Sequence, residues 1–267
     1  MTDWQTYVAG FHARCPGISE DVLVRTTADG LSPYDWVARA VASEAERVLD
    51  LACGSGVMGR VLAEAVPHRP TEVVGLDLSE AELRRAAAAG YGGGGGYLRL
   101  VRGDGLRLPF AGQTFDAVTC SMAMMVFDRY APALAECARV LKPGGVLGIT
   151  VPSAVPLRPS DVRLLTQVTA RLRSFPQFPG GAELTGLREA VEANGFRLLE
   201  DARERFAFPV HDRSDADLLI RSLYLPGTPD RRRNAAAAFL AERAVDEGGG
   251  LEIAVPIRRL VAVLKAE

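Results

Sequence analysis

The sequence of 267 residues predicts an α/β fold with a doubly wound, mostly parallel sheet. Three observations predict this class. Short apolar runs alternate with amphipathic helical stretches up to about residue 151, as in repeated strand–helix–strand units. The first run ends in a glycine-rich turn, and a helical pattern follows the turn. Asp50, Asp77 and Asp104 each follow an apolar run, where parallel strands would end at one edge of the sheet.

The chain is expected to form one domain over residues 1–267, in three parts. Residues 1–45 are expected to be an N-terminal helical cap and residues 46–151 the ligand-binding core. Residues 152–267 are expected to form a variable substrate cap and the sheet edge. At that edge we expect a strand near 197–208 to pair with an antiparallel strand at 258–264.

The local patterns support this division in chain order. Aromatic and apolar residues at helical spacing predict helices that begin near Trp4, Ser19 and Pro33. Ser79 and Glu82 predict a capping box at the start of the helix after the second strand. Five consecutive glycines, 92–96, are interpreted as a connector. The strands of the core are predicted near 48–50, 71–77, 97–101, 115–121 and 146–151.

Composition narrows the classes of partner. The chain has 31 basic and 33 acidic residues, a balance that does not predict binding to nucleic acid or to an acidic membrane. No apolar run approaches the roughly 20 residues of a membrane span. The four cysteines have no C-x-x-C spacing, so neither a metal site nor a disulfide framework is predicted. We expect a cytoplasmic protein with a small-molecule substrate; the oligomeric state is not predicted.

Two nucleotide cofactors compete for the glycine-rich turn at Gly54–Gly59. A dinucleotide would use this turn for its pyrophosphate and Asp77, 23 residues after Gly54, for its ribose. Asp50 argues against that interpretation, because it would place a carboxylate beside the pyrophosphate. A cofactor that carries an ammonium and a sulfonium group, and no phosphate, is more compatible with Asp50.

Five segments in order resemble those of the class I S-adenosylmethionine-dependent methyltransferases. The resemblance is nearest to the small-molecule branch of ubiquinone and menaquinone type. It covers about residues 46–151 and is less specific outside them. The resemblance implies a Rossmann-like fold and S-adenosylmethionine as cofactor. The segments are Asp50–Gly56, Gly75–Ser79, Gly103–Phe110, Phe115–Ser121 and Arg139–Gly145.

The resemblance also implies roles for individual residues. Asp50 would orient the methionine ammonium, and the backbone near Ser121 would face the methionine end. Asp77 would accept the two ribose hydroxyls, and Asp104 would accept the adenine amino group. The full implied set of cofactor-binding residues is Asp50, Ala52, Gly54, Asp77, Leu78, Asp104, Gly105 and Ser121.

The catalytic residues are not assigned by the sequence. A sulfonium methyl group is already activated, so alignment of the acceptor can supply most of the acceleration and a general base is optional. His12 and His211 are candidates for such a base, as are Tyr34 and Tyr224. Packing in the cap is the alternative role for all four.

The expected function is transfer of a methyl group to a small, apolar or aromatic metabolite. Two alternatives stay open. The same scaffold can host a cyclisation or a decarboxylation, because the five segments describe the cofactor and not the acceptor. A cofactor-binding regulatory subunit is the second alternative, which the intact aspartates disfavour.

Overall fold

The computed structural model describes residues 3–41, 45–65, 72–89, 97–180, 186–248 and 250–266. The described residues contain one seven-stranded sheet. The predicted glycine connector at 92–96 lies outside them. The strands are β1 (Arg47–Leu51), β2 (Glu72–Asp77), β3 (Tyr97–Arg102), β4 (Phe115–Ser121), β5 (Leu141–Pro152), β6 (Phe196–Val210) and β7 (Leu251–Leu264).

The strand order is β3-β2-β1-β4-β5-β7-β6. The first five strands in this order pair in parallel, whereas β7 runs antiparallel to both β5 and β6. The predicted doubly wound, mostly parallel sheet is therefore confirmed, and so is the antiparallel pairing between the last two strands. The antiparallel strand β7 lies one position inside the edge, which β6 forms.

The helices lie before, between and after the strands in the predicted alternation. The three N-terminal helices predicted from aromatic and apolar spacing are present. The helices are α1 (Trp4–Arg14), α2 (Ile18–Leu23), α3 (Pro33–Val41), α4 (Val57–Ala65), α5 (Glu80–Ala88), α6 (Ala131–Val140), α7 (Pro159–Leu172), α8 (Leu187–Ala193), α9 (Arg213–Ser222) and α10 (Asp230–Asp246).

The central strands are buried on both faces, which explains their nearly continuous apolar sequences. In β1, Val48 packs into one hydrophobic cluster with residues of α3 and α4. Its neighbour Leu49 packs into the cluster on the other face, with residues of α6 and α8. Because side chains alternate along a strand, each central strand contributes to both layers of the core.

A third cluster builds the cap from the ends of β6 and β7. Phe208 of β6 and Ile253 of β7 pack there with residues of α7, α9 and α10. Both strands extend past the last pair between β5 and β7, Pro152 with Ile257. The extended hairpin therefore carries the cap helices beyond the edge of the core sheet.

The boundaries of two strands differ from the prediction. β5 begins at Leu141 and not at Val146, because Leu141 already pairs with Phe115, before a register shift in the ladder. β7 begins at Leu251, seven residues before the predicted start. Residues 251–257 pair with the second half of β6, and this pairing extends β7 beyond the start predicted from the sequence. No helix of the described residues is long and apolar enough to cross a membrane.

Candidate functional site

A cavity of about 1020 Å³ opens where the carboxyl ends of β1, β2 and β4 meet the N-terminal helices. Its volume lies at the upper end of the roughly 300–1,000 Å³ typical of small-molecule sites. The structure brings all eight residues of the predicted cofactor set to its wall: Asp50, Ala52, Gly54, Asp77, Leu78, Asp104, Gly105 and Ser121.

The turn between β1 and α4 needs unusual backbone angles. Ala52 has a φ of +55° and Gly54 a φ of +53°. A positive φ is accessible to glycine without steric cost, whereas Ala52 must hold it against its own Cβ. A Cβ at position 54 would also overlap the Glu20 carboxylate, so this turn leaves room for no side chain there.

Asp50 is 1% exposed at the end of β1. Its Oδ1 accepts a hydrogen bond from the Thr119 hydroxyl at 3.1 Å. Its Oδ2 is buried with no hydrogen-bond partner among the described residues. Burial raises the pKa of Asp50 to about 7, against the opposing hydrogen bond from Thr119. A cation that reaches this wall of the cavity would satisfy the free oxygen and favour the ionised carboxylate.

Asp77 ends β2 and connects two neighbouring segments. Its Oδ2 accepts from the Gly54 N–H at 2.8 Å, and its Oδ1 accepts from the Ser79 N–H at 2.7 Å. Burial raises its pKa, although the two N–H groups oppose that effect. Each carboxylate oxygen keeps acceptor capacity beyond its one N–H donor, so Asp77 can still accept hydroxyl groups from a ligand.

The outer part of the cavity is more open. Leu78 is 64% exposed there. Asp104 accepts a hydrogen bond from the Leu106 N–H at 2.9 Å. A Cβ on Gly105 would lie 2.9 Å from the Phe127 ring, so the glycine permits close packing at this point.

The predicted capping box at α5 is only half formed. Ser79 caps the helix by accepting from the Glu82 N–H at 3.4 Å. The Glu82 carboxylate does not bond back to the Ser79 N–H, because Asp77 already takes that donor. Glu82 instead accepts from the Gly17 N–H at 2.8 Å and contacts His12. The Glu82 carboxylate therefore does not complete the helix cap, and it reaches the cavity through His12, which lines it.

His12 lies on α1 between an acid and a phenol. Its Nδ1 is 2.7 Å from Glu82 Oε1, and its Nε2 is 2.6 Å from the Tyr224 hydroxyl. Burial lowers the pKa of His12, but the hydrogen bond and charge of Glu82 outweigh it, and the net pKa is raised. Both His12 and Tyr224 line the cavity.

The other candidates for a base have different surroundings. Tyr34 lines the cavity and is buried, which raises the pKa of its phenol. His211 does not line this cavity. Its side chain is 60% exposed, and its Nδ1 lies 2.9 Å from Asp215 Oδ2 at the start of α9. The structure thus brings three of the four candidates to the site and leaves His211 outside it.

Glu20 is a site residue that the sequence analysis missed. It lies on α2, lines the cavity, and accepts from the Ser55 N–H of the glycine-rich turn at 2.7 Å. Burial, followed by the charge of Glu82, raises its pKa. No local signal distinguishes Glu20 from a solvent-facing acid, because its contact partner is 35 residues away.

These side chains suit a positively charged ligand. Asp50, Asp77 and Glu20 border one volume, and the Ser121 hydroxyl is buried there without a partner among the described residues. A phosphate would meet several carboxylates at this edge, whereas an ammonium or a sulfonium would be stabilised by them. The residues present therefore fit S-adenosylmethionine. No group of three or more potential metal ligands occurs in the described part of the chain.

Comparisons with known proteins agree with this geometry. Residues 48–145 match the family described as "Methyltransferase domain". A demethylmenaquinone methyltransferase of Thermobifida fusca is 39% identical over 145 residues, which are 53% of this chain and 59% of that protein. The nocamycin O-methyltransferase of Saccharothrix syringae is 28% identical over 226 residues, 76% of this chain and 79% of that one.

The fold agrees with these sequence comparisons. A crystal structure from Bacillus halodurans superposes with a TM-score of 0.60 at 22% identity, covering 88% of this chain and 99% of that one. Fold and sequence together support a class I S-adenosylmethionine-dependent methyltransferase of the small-molecule branch, with the sequence match centred on residues 48–145. The chain spans about half the length of the demethylmenaquinone methyltransferases that it matches.

Proposed function

We propose that this protein transfers the methyl group of S-adenosylmethionine to a small, apolar or aromatic metabolite. The observation that carries the proposal is the wall of the cavity, where a buried carboxylate oxygen of Asp50 has no partner in the described residues and Asp77 ends the adjacent strand. An unpaired buried acceptor is costly, and a ligand ammonium would relieve that cost. The cofactor supplies an activated methyl group, so the protein has mainly to align the acceptor.

The roles of the chain's own residues follow from their contacts. Asp50 would hold the ammonium group, and Asp77 would accept the ribose hydroxyls. Leu78 would cover the adenine face, with Asp104 and Gly105 at its edge. The backbone of Ala52, Gly54 and Ser121 would complete the enclosure, and the cap would exclude water from the acceptor.

An oxygen acceptor is favoured over nitrogen or carbon. The Saccharothrix relative, which aligns with 76% of this chain, is named as an O-methyltransferase. The demethylmenaquinone methyltransferase of Thermobifida fusca aligns with 53% of this chain. Since the cap holds the acceptor in this proposal, the relative that covers more of the chain outside the core is the better guide to acceptor chemistry.

The wider setting is part of the proposal. Residues 1–267 would act as one domain, with residues 1–45 and 152–267 closing over the core at 46–151. The four free cysteines, three of them buried, are compatible with a reducing cytoplasm. The partner would be the small-molecule substrate, without nucleic acid or membrane.

A labelled-methyl transfer assay tests the proposal. The protein is incubated with S-adenosylmethionine that carries a radioactive methyl group and with a fractionated metabolite extract. We expect label in an organic-extractable product, and much less of it with the Asp77→Ala variant when the cofactor concentration is limiting. A product formed without label transfer would support the cyclisation or decarboxylation alternative. Tight cofactor binding without any product would support the regulatory alternative.

A further inference from the structure

Three side chains from distant parts of the chain form one continuous hydrogen-bonded line beside the cavity. Tyr224 follows α9, His12 belongs to α1 and Glu82 to α5. The Tyr224 hydroxyl lies 2.6 Å from His12 Nε2, and His12 Nδ1 lies 2.7 Å from Glu82 Oε1. Glu82 is 1% exposed, whereas the His12 side chain is 22% exposed. The line therefore joins the buried Tyr224 phenol to the buried Glu82 carboxylate through the partly accessible His12 imidazole.

The partners define how the protons are arranged. A carboxylate can only accept, so the Glu82 side of the imidazole carries the proton on Nδ1. In the neutral imidazole, which is the form that can take up a proton, the Nε2 lone pair then accepts from the Tyr224 hydroxyl. Glu82 is itself held by the Gly17 N–H at 2.8 Å, which fixes its direction. A hydrogen bond on one ring nitrogen fixes the tautomer of a histidine and orients the other ring nitrogen for proton transfer.

We propose that this line removes the proton from a hydroxyl acceptor during methyl transfer, an inference that rests on the proposed function. The acceptor oxygen forms a bond to the methyl carbon, while the carbon–sulfur bond breaks and its electron pair stays on sulfur. The acceptor's proton moves to the Tyr224 oxygen, and the Tyr224 proton moves to His12 Nε2. Glu82 stabilises the imidazolium, which later releases its proton to solvent.

Tyr224 is the catalytic residue of this line, and His12 and Glu82 are positioning residues that act through it. Burial, and then the charges of Glu20 and Glu82, raise the pKa of Tyr224. Tyr224 therefore keeps its proton before the reaction and passes protons in step with methyl transfer. It does not act as a standing phenolate.

The surroundings of Tyr224 indicate the class of hydroxyl. Its ring packs with Phe11 at a centroid distance of 4.7 Å and with Phe178 at 5.8 Å. Val126, just after β4, packs against the same cluster. Val126 and Phe127 line the cavity together with Tyr224, so an aromatic or enolic hydroxyl on an apolar scaffold suits this wall better than an aliphatic sugar hydroxyl.

The charged groups around the line set its pH dependence. Glu20 of α2, Asp77 of β2 and Glu82 of α5 all act on His12 and raise its pKa, against burial. The Tyr7 phenol on α1 also contributes electrostatically to the raised pKa of Tyr224. Arg85 of α5 points to the segment at Gly17, where it pairs with Asp21 at 2.5 Å. The rate should rise with pH through a His12 pKa above its ordinary value of about 6.5.

The test measures methyl transfer to 2-naphthol and to 4-nitrophenol as probes. Tyr224→Phe and His12→Gln should reduce kcat for 2-naphthol by roughly a hundredfold or more. The loss should be much smaller for 4-nitrophenol when both probes are compared at about pH 8, where most of the 4-nitrophenol is already ionised. Glu82→Gln should move the acidic limb of the kcat profile to lower pH. His211→Gln is the matched control for His12→Gln, because His211 also pairs with a carboxylate but does not line the cavity.

Two controls keep the outcomes separate. S-adenosylhomocysteine affinity and melting temperature report whether each variant folds and keeps its cofactor site. Histidine-labelled NMR follows the His12 titration in the S-adenosylhomocysteine complex without any acceptor. A raised His12 pKa that falls in Glu82→Gln supports the line, and an unchanged titration overturns it. Wild-type kcat and pH limbs in all three variants of the line would also overturn it, as would wild-type transfer to amines or carbon acids but to no hydroxyl. Failure of the wild type to bind the nucleoside would instead refute the proposed function.

Discussion

The carboxyl edge of the sheet and the helical cap contribute to the same cavity by different means. The sheet edge supplies Asp50 and Asp77 from the ends of adjacent strands, so their positions follow from strand register. The cap supplies His12, Glu20 and Tyr224 from three segments that meet only in the folded chain. The first arrangement is a property of the backbone, and the second depends on long-range packing.

This difference separates the two tasks of the site. A rigid edge can hold an invariant cofactor, because parallel strands buried on both faces leave little freedom to their ends. A cap made of helices that rest on an extended hairpin can change its side chains without disturbing the sheet. Changes at the edge should therefore affect cofactor affinity, and changes in the cap should affect turnover.

The largest effect on affinity is expected from Asp77→Ala. Hydrogen bonds to a charged acceptor are worth about 1.5–3 kcal/mol each, so the loss of both ribose bonds should weaken S-adenosylhomocysteine binding by at least about tenfold. The Gly54 N–H also loses its acceptor, which adds to the effect. Calorimetric titration measures it. Tyr7→Phe in the cap serves as the control and should keep wild-type affinity.

The melting temperature of Asp77→Ala separates a role of Asp77 in stability from a role in cofactor binding. Asp77 accepts from Ser79 at the start of α5, and loss of such a bond costs about 1 kcal/mol of stability. A lowered melting temperature with unchanged affinity would mean that Asp77 is only a structural residue.

Asp50 should make cofactor binding depend on pH. Its folded pKa of about 7 lies above the ordinary value of about 3.9, so the fold favours the neutral acid. The stability that this group contributes is complete below about pH 3.9 and is lost as the pH rises through about 7. Binding has the opposite sign, because an ammonium needs the ionised carboxylate.

Affinity for S-adenosylhomocysteine should therefore fall as the pH is lowered from about 7, by up to about tenfold per unit. Calorimetry in two buffers of different ionisation enthalpy should show proton release on binding near pH 6.5. Asp77 and Glu20 also have raised pKa values, so Asp50→Asn is needed to isolate the contribution. If the same number of protons is released when S-adenosylhomocysteine binds to Asp50→Asn, Asp50 is excluded as their source.

The smallest effect is expected in the backbone dynamics of the cap. Residues 5–23 and the segment at Tyr224 border the cavity, so a bound cofactor should slow amide hydrogen exchange there. β7 lies between two strands and should be unaffected. Equal exchange in the cap with and without S-adenosylhomocysteine would argue against its closing over the acceptor.

The sequence predicted the sheet edge well and the cap poorly, for physical reasons. Strand alternation and the glycine turn are local patterns, and they were enough to bring all eight predicted residues to one cavity. Glu82 was interpreted as part of a capping box because its spacing from Ser79 fits that motif. Its true partner, His12, is 70 residues away. The sequence offers His211 and His12 equally as candidate bases, and only the fold shows that His12 lines the cavity and His211 does not.

Calorimetric titration of the wild-type protein with S-adenosylhomocysteine and, separately, with NAD tests the central claim most directly. The acidic lining around Asp50 and Asp77 should admit the sulfur nucleoside and repel a pyrophosphate. We expect one site for S-adenosylhomocysteine and no measurable heat of binding for NAD. Tight binding of NAD without binding of the sulfur nucleoside would contradict the assignment of this cavity to a methyl donor.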